Sequence, residues 1–345
     1  MLKHSTVIRK SSTRMIKLPG NKKFIFTIID DTDDSYVPHI EEVYDVLYKN
    51  GLRTTKTLWV YPVRDPERSK GECLQDEKYK EFVLDLQRKG FELGLHNVGS
   101  GDYSREEIIK GLEEYEEILG EKPNIHVNHS YNPDNIYCGP KRFSFPFNLI
   151  VKYLYSNYSN FSGEIKSSKN YWADIHKRII KYSRNYEIDD INSIKRNKYM
   201  PYKDKKYEEY CNYWYSSTFA PNQWMFNHMV TEESIDRLEK EGGICILYTH
   251  LGYYHKNGEV DEGFKKMISY IGKKETGLFI PVSEVLDLLQ ERKKEKNIPE
   301  FLPAFKKILL EYNSLKTRIK YRFFKKIDDY HFKKSDLYNE VNYKK

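Results

Sequence analysis

Cysteine is scarce in this chain of 345 residues. There are four, Cys73, Cys138, Cys211 and Cys245, and no two form a C-x-x-C pair. That spacing excludes a zinc knuckle and offers no disulfide framework, so the thiols read as reduced and the protein as cytoplasmic. Long apolar runs are missing too. None approaches the ~20 residues needed to span a bilayer. No early stretch joins a charged start, an apolar run and a small-residue cleavage site, which argues against a signal peptide. No internal repeat is visible. Net charge is also absent from most of the chain, despite an overall +7. From Glu291 to Lys345 there are 16 Lys and Arg against 8 Asp and Glu, which leaves the first 290 residues at −1. A near-neutral body with a basic tail excludes a nucleic-acid groove built into the main fold.

What is present begins with Phe24-Ile25-Phe26-Thr27-Ile28-Ile29-Asp30-Asp31-Thr32-Asp33-Asp34. The apolar, aromatic and β-branched run predicts a buried strand. It stops in four carboxylates within five residues. Like charges that close repel, and burial penalises each further, so water, a cation or a chemical task must compensate. An inert acidic turn would look the same in isolation. The other strand ends tip the balance, because further strand-like runs close on His96, on His126 and His129, and on His250.

Helical and strand-like segments alternate along the chain. Helices are predicted from Pro38 to about Asn50, over Glu77–Lys89, and from the capping box Ser104-Arg105-Glu106-Glu107 to Gly120. Strands are predicted at Thr54–Tyr61, Phe91–His96 and Asn124–His129. Later come a helix at Thr231–Glu241, a strand at Gly243–His250, a helix at Asp261–Ile271, a strand at Gly277–Pro281 and a helix at Ser283–Lys293. Such alternation predicts a parallel sheet with helical crossovers, and sites at the carboxyl ends of its strands. Residues 1–21 read as a loose lead-in and 22–293 as the α/β body. The stretch from about 140 to 224 is rich in Tyr, Asn, Ser and Lys, breaks the alternation, and reads as an aromatic-rich insertion beside the site. Its Trp172, Trp214 and Trp224 suit stacking on sugar rings or packing of a local core. Residues 294–345 read as a basic helical extension. Leu302, Phe305, Leu309 and Tyr312 fall on one face, expected to dock on the body with charge turned to solvent; a peripheral membrane contact is the other reading of that tail.

In this order and spacing the motifs resemble the polysaccharide deacetylases of the NodB-homology group, carbohydrate esterase family 4. The shared elements are a strand ending in Asp-Asp, a Glu-Leu-Gly-Leu-His strand, a Ser-x-Glu-Glu helix and a strand ending Leu-x-x-His. Thr27–Asp33, His126–Asn135, Tyr171–Asp174, Tyr248–His250 and Ile280–Glu284 are most similar to the divergent branch found in bacterial O-antigen and surface-polysaccharide gene clusters. The resemblance covers residues 24–290. It implies a distorted (β/α) barrel of six to seven parallel strands and a hydrolase that removes an N-acetyl or related acyl group from a sugar, with a divalent metal such as zinc.

Carried over by position, the resemblance makes Asp30 the general base, Asp31 and His96 metal ligands, His250 the general acid, and the Tyr131 backbone N–H part of the oxyanion hole. Trp172, Asp174 and Asn132 become substrate contacts. Three positions depart from the family. Ser100 stands where a second metal histidine is usual, Thr32 where Gly follows Asp-Asp, and Asn128 where an Arg pairs with the base. Asp102, His126 or His129 is then left to supply the third ligand, with His129 preferred because it ends a strand. Alternation allows only one of His126 and His129 to face the site.

Two other readings compete. One is a catalytically degenerate relative that binds glycan or scaffolds polysaccharide assembly. The other is a phosphatase with a nucleophilic Asp31 in Asp31-Thr32-Asp33 and a late acidic pair at Asp189-Asp190.

Overall fold

The computed structural model describes residues 18–154, 160–256 and 258–323. The strands, in chain order, are β1 (Phe24–Asp30), β2 (Thr55–Leu58), β3 (Glu92–Leu95), β4 (Ile125–His126), β5 (Tyr182–Ile188), β6 (Tyr213–Phe219) and β7 (Ile244–Thr249). Each pairs in parallel with the next, and β7 returns to β1 over six residue pairs, from Ile25 with Ile244 to Asp30 with Thr249. The result is a closed seven-stranded parallel barrel, as expected from the alternation and the resemblance. Closure removes sheet edges, and helices cover the outside, so β1 is buried at all seven positions. Its register explains a small addition: β2 meets β1 only at Ile29 and Asp30, and the short strand Gly277–Leu278 fills the place beside Phe24 and Ile25.

The helices follow from local chemistry. Helix α1 (Val37–Lys49) has Pro in its first turn, where a missing N–H costs nothing, and buries Ile40, Val43, Tyr44 and Leu47 as one stripe. Helix α2 spans Glu77–Arg88. Helix α3 (Arg105–Leu119) starts at the capping box expected from sequence, Ser104 with Glu107, and stops at Gly120, whose φ of 73° suits glycine.

The stretch 140–224 corrects the sequence reading. It is not set apart from the barrel, because it supplies β5 and β6, two of the seven strands. Both are rich in Tyr, Ser and other polar residues, and that composition hid them. Some of their polar atoms find partners inside the wall: Asn185 Nδ2 donates to the Tyr202 hydroxyl, and Tyr186 Oη donates to the Arg142 carbonyl. Trp172 and Trp214 are buried.

The C-terminal expectation is also revised. Helix Ala304–Phe323 does dock, but through Leu310, Leu315 and Tyr321, while Phe305, Leu309 and Tyr312 point outward. The lead-in before Leu18 and the basic tail after Phe323 lie outside the described residues. Among those described, no helix is long and apolar enough to cross a membrane.

Candidate active site

The four carboxylates after β1 have four separate fates. Asp30 is fully buried, and both its oxygens are occupied. Oδ2 accepts from the Tyr44 hydroxyl at 2.8 Å and from Lys56 Nζ at 3.1 Å, and Oδ1 accepts from the Leu251 amide at 2.7 Å. Lys56 is its direct cross-strand partner on β2. Burial pulls the Lys56 ammonium down in pKa, and Asp30 beside it more than offsets the pull. Asp31 accepts from both terminal guanidinium nitrogens of Arg184, Nη1 to Oδ1 and Nη2 to Oδ2, each at 2.7 Å, and Arg184 in turn lies 3.9 Å from the centre of the Tyr248 ring. Asp34, at φ 55°, is pushed up to about 6 by burial and the neighbouring Asp33 charge, against a hydrogen bond from Tyr253.

Asp33 is the carboxylate that meets the histidines. Its Oδ1 stands 3.2 Å from His129 Nε2, and its Oδ2 stands 3.4 Å from His96 Nε2 and 3.6 Å from His250 Nε2. Burial alone would raise the Asp33 carboxyl, but the charges and hydrogen bonds of His129, His96 and His250 hold it well below the usual range. Asp31 Oδ2 is 3.9 Å from His96 Nε2 and borders the same space.

The histidines arrive from three strand ends, and each is held by its other nitrogen. His96 follows β3, and its Nδ1 sits 3.0 Å from the Val127 carbonyl. His250 follows β7, with Nδ1 2.7 Å from the Pro221 carbonyl. His129 lies in the turn after β4, with Nδ1 2.9 Å from Asn132 Oδ1. An amide or carbonyl oxygen only accepts, so each of these Nδ1 atoms must carry hydrogen. In the neutral ring Nε2 is then bare, and all three bare nitrogens turn toward Asp33. Carbonyl and amide partners on the far nitrogen orient imidazoles in this way for a metal. The Asn132 amide is itself fixed, since Nδ2 donates to the Gly99 carbonyl and Oδ1 also accepts from the Gly101 amide.

Asp33, His96 and His129 offer one ligand atom each, all within 4.8 Å of one another. Two ligands bound ~2.1 Å from a tetrahedral ion stand ~3.4 Å apart, so the Asp33–imidazole distances fit a shared cation with little movement. The donor set, two imidazoles and a carboxylate with room for further ligands, suits zinc or a similar divalent ion. Trp59 walls the cluster, stacked on His96 and edge-on to His129, and Ser69 Oγ lies 3.1 Å from His129 Nε2. Gly252, just after His250, packs where only glycine fits: a Cβ there would come within 2.5 Å of the Asp34 carbonyl.

The other sequence candidates fall elsewhere. Of the three residues left open for the third ligand, His129 joins the cluster. His126 is buried in the wall between Trp172 and His176, where burial drives its pKa far down. Asp102 binds Lys169 and Asn170 instead. Tyr131 is partly exposed at the mouth with φ 73°, an unusual conformation for a bulky residue, and Arg68 lies 5.1 Å from its ring. Two of the expected substrate contacts are structural in their surroundings. Trp172 is 1% exposed and donates from Nε1 to the Asp134 carbonyl; Asn132 braces His129. Asp174 pairs with Arg105. Sequence reading missed Asp33, Arg184, Trp59 and Ser69. A lysine within the buried strand Thr55–Leu58 was the available clue to Asp30, because such a charge needs a carboxylate opposite.

No protein-family model and no curated protein matches the chain. Solved structures of similar shape include a candidate polysaccharide deacetylase from Mycobacterium smegmatis, with 11% identity, 84% of this chain and 97% of that one covered, and a TM-score of 0.47. The Puue allantoinase matches with 11% identity, 85% and 98% coverage, and a TM-score of 0.47. The peptidoglycan deacetylase PdaC from Bacillus subtilis matches with 13% identity, 80% and 96% coverage, and a TM-score of 0.37. Likeness at this level carries no inference about chemistry, which must come from the residues themselves.

Proposed function

We propose that the protein is a metal-dependent hydrolase that removes an N-acetyl or related acyl group from a sugar used in bacterial surface-polysaccharide biosynthesis. The observation that carries this reading is the convergence of three imidazole Nε2 atoms on Asp33, each fixed through Nδ1. Asp33, His96 and His129 would hold the ion, zinc being the best fit. When bound, such an ion lowers the pKa of a water and polarises the acyl carbonyl.

The chain's own groups supply the rest. Asp31 accepts the proton of the attacking water, its carboxylate fixed in place by the two Arg184 hydrogen bonds. Arg184 thus takes the part left vacant by Asn128. His250, entering the step as the imidazolium, passes its Nε2 proton to the departing nitrogen and ends neutral with Nδ1–H on the Pro221 carbonyl. The Tyr131 amide meets the oxyanion at the mouth. Asp30, committed to Tyr44, Lys56 and the Leu251 amide, supports the strand end. The four cysteines are free, in keeping with a cytoplasmic protein acting on a nucleotide- or lipid-linked sugar.

The rival readings lose their footing on particular residues. Binding without catalysis rested on Ser100, Asn128 and the basic tail; His129 and Arg184 are proposed to stand in for the first two. The phosphatase reading needs a late acidic pair free to hold a metal, and Asp189 and Asp190 are engaged with Lys320, Tyr321 and Arg196. The test is acetate release from N-acetylated nucleotide sugars and oligosaccharides by zinc-loaded protein. Asp31→Asn and His250→Ala should each lower the rate by ~10²–10⁴. Full activity in both variants would refute the assignment.

A further inference from the structure

Eleven large apolar side chains are exposed among the described residues, and eight of them share one face. Phe145, Leu149, Ile150 and Tyr153 lie on helix Phe147–Leu154 or in the turn before it. Phe305, Ile308, Leu309 and Tyr312 form a stripe at helical spacing on Ala304–Phe323. The two helices are joined beneath by a small apolar core of Phe143, Val151, Tyr186, Leu310 and Leu315, and by Ser144, whose amide and hydroxyl both donate to Glu311. An apolar face this concentrated marks an interaction surface.

Its charge says what it meets. Helix Phe147–Leu154 contains one lysine and no acid. Helix Ala304–Phe323 contains six Lys and Arg against a single acid, Glu311, which is fully buried and bonded to Ser144 and Tyr186. Lys307, Arg318 and Lys320 pair with acids of the body. Lys152 and Lys316 remain exposed at the edges of the apolar face, and Lys306 lies over the Phe305 ring. After Phe323 the sequence adds six lysines against four acidic residues. Apolar side chains ringed by lysine, with no exposed acid on either helix, match a lipid surface of negative charge. A second copy of the same face would set lysine against lysine across a two-fold axis.

We propose that this face seats the protein on an anionic lipid bilayer, lying in the interface without crossing it. Arg318 and Tyr321 fasten the helix to Glu187 and Asp189, at the carboxyl end of the strand that delivers Arg184. The last turns of this helix therefore reach the end of the barrel that carries the histidine cluster, and Glu311, beneath the apolar stripe, accepts from Tyr186 of the same strand. The inference rests on the surface alone and does not depend on the chemistry assigned to the cluster.

Full-length protein is to be co-sedimented with phosphatidylcholine vesicles, with and without phosphatidylglycerol. Binding to the phosphatidylglycerol vesicles, reversed by salt, is expected. The pairs Ile308→Asp with Leu309→Asp, and Lys152→Glu with Lys316→Glu, should each weaken it tenfold or more, since one basic residue near such a surface is worth about fivefold. These positions are exposed, so melting temperatures should stay unchanged. Absent binding, equal binding to uncharged vesicles, wild-type binding by either pair, or a stable dimer dispersed by the aspartates would overturn the proposal.

Discussion

Asp30 and Asp31 are adjacent, buried and of the same residue type, yet they should fail in different ways when neutralised. Asp30→Asn leaves the Lys56 ammonium fully buried with no carboxylate, and with the Ser35 and Tyr79 hydroxyls and an amide as its polar partners. Breaking a buried ion pair by removing one partner costs ~3–5 kcal/mol. Against the ~5–15 kcal/mol that stabilises a typical domain, this is a large loss. Tyr44 adds to it, because its hydroxyl donates to the same Asp30 oxygen and an amide NH₂ turned that way would oppose it. Adding Lys56→Met removes the stranded charge, so the double variant should recover much of the loss. Urea unfolding of wild type, both single variants and the double gives the coupling directly, with ~2 kcal/mol or more expected. Wild-type stability in Asp30→Asn, or losses that simply add, would refute the structural role. An Asp30→Asn variant that folds with full stability but releases no acetate would return the base to Asp30.

Further predictions follow from the same contacts. Asn132→Ala frees His129 Nδ1, and should weaken zinc affinity ~10–100-fold while leaving activity recoverable at high zinc, read by competition with a chelating dye. Trp172→Ala should destabilise the protein by ~3–5 kcal/mol, seen as a lower melting temperature, and leave KM for the sugar unchanged in the folded fraction. Glu187 lies between Arg318 and Arg142; burial would raise its carboxyl, but the two guanidinium groups bring it down to about 2. A depressed folded value stabilises the protein above the unfolded value near ~4.3, and the gain is lost as pH falls from there toward 2. Stability measured from pH 5 to 3 should therefore fall less steeply in Glu187→Gln than in wild type.

The barrel was legible because its first strand and its helices obey simple rules: an unbroken apolar run, a capping box, a glycine stop. β5 and β6 were not, since Tyr-Ser-Arg-Asn-Tyr-Glu-Ile and Tyr-Trp-Tyr-Ser-Ser-Thr-Phe carry polar atoms whose partners lie far away in sequence. Arg184 was hidden with them, and with it the partner of Asp31. The histidines could be found because they close strands. Which of four carboxylates they meet could not, because Asp31 and Asp33 differ only in how the turn after β1 folds back. The Nδ1 contacts that fix each ring come from a backbone carbonyl or a side-chain amide, and no residue pattern announces them. The outward apolar stripe of the last helix was misplaced for a related reason: periodicity shows that a face exists, not which way it turns.

The central claim is that Asp33, His96 and His129 share one cation. Anomalous diffraction at the zinc edge from crystals of the zinc-loaded protein tests it most directly. A single peak bonded to His96 Nε2, His129 Nε2 and an Asp33 carboxylate oxygen, lost in Asp33→Ala, is the predicted result. A peak bonded through Asp31, or none at the cluster after loading at neutral pH, would contradict it.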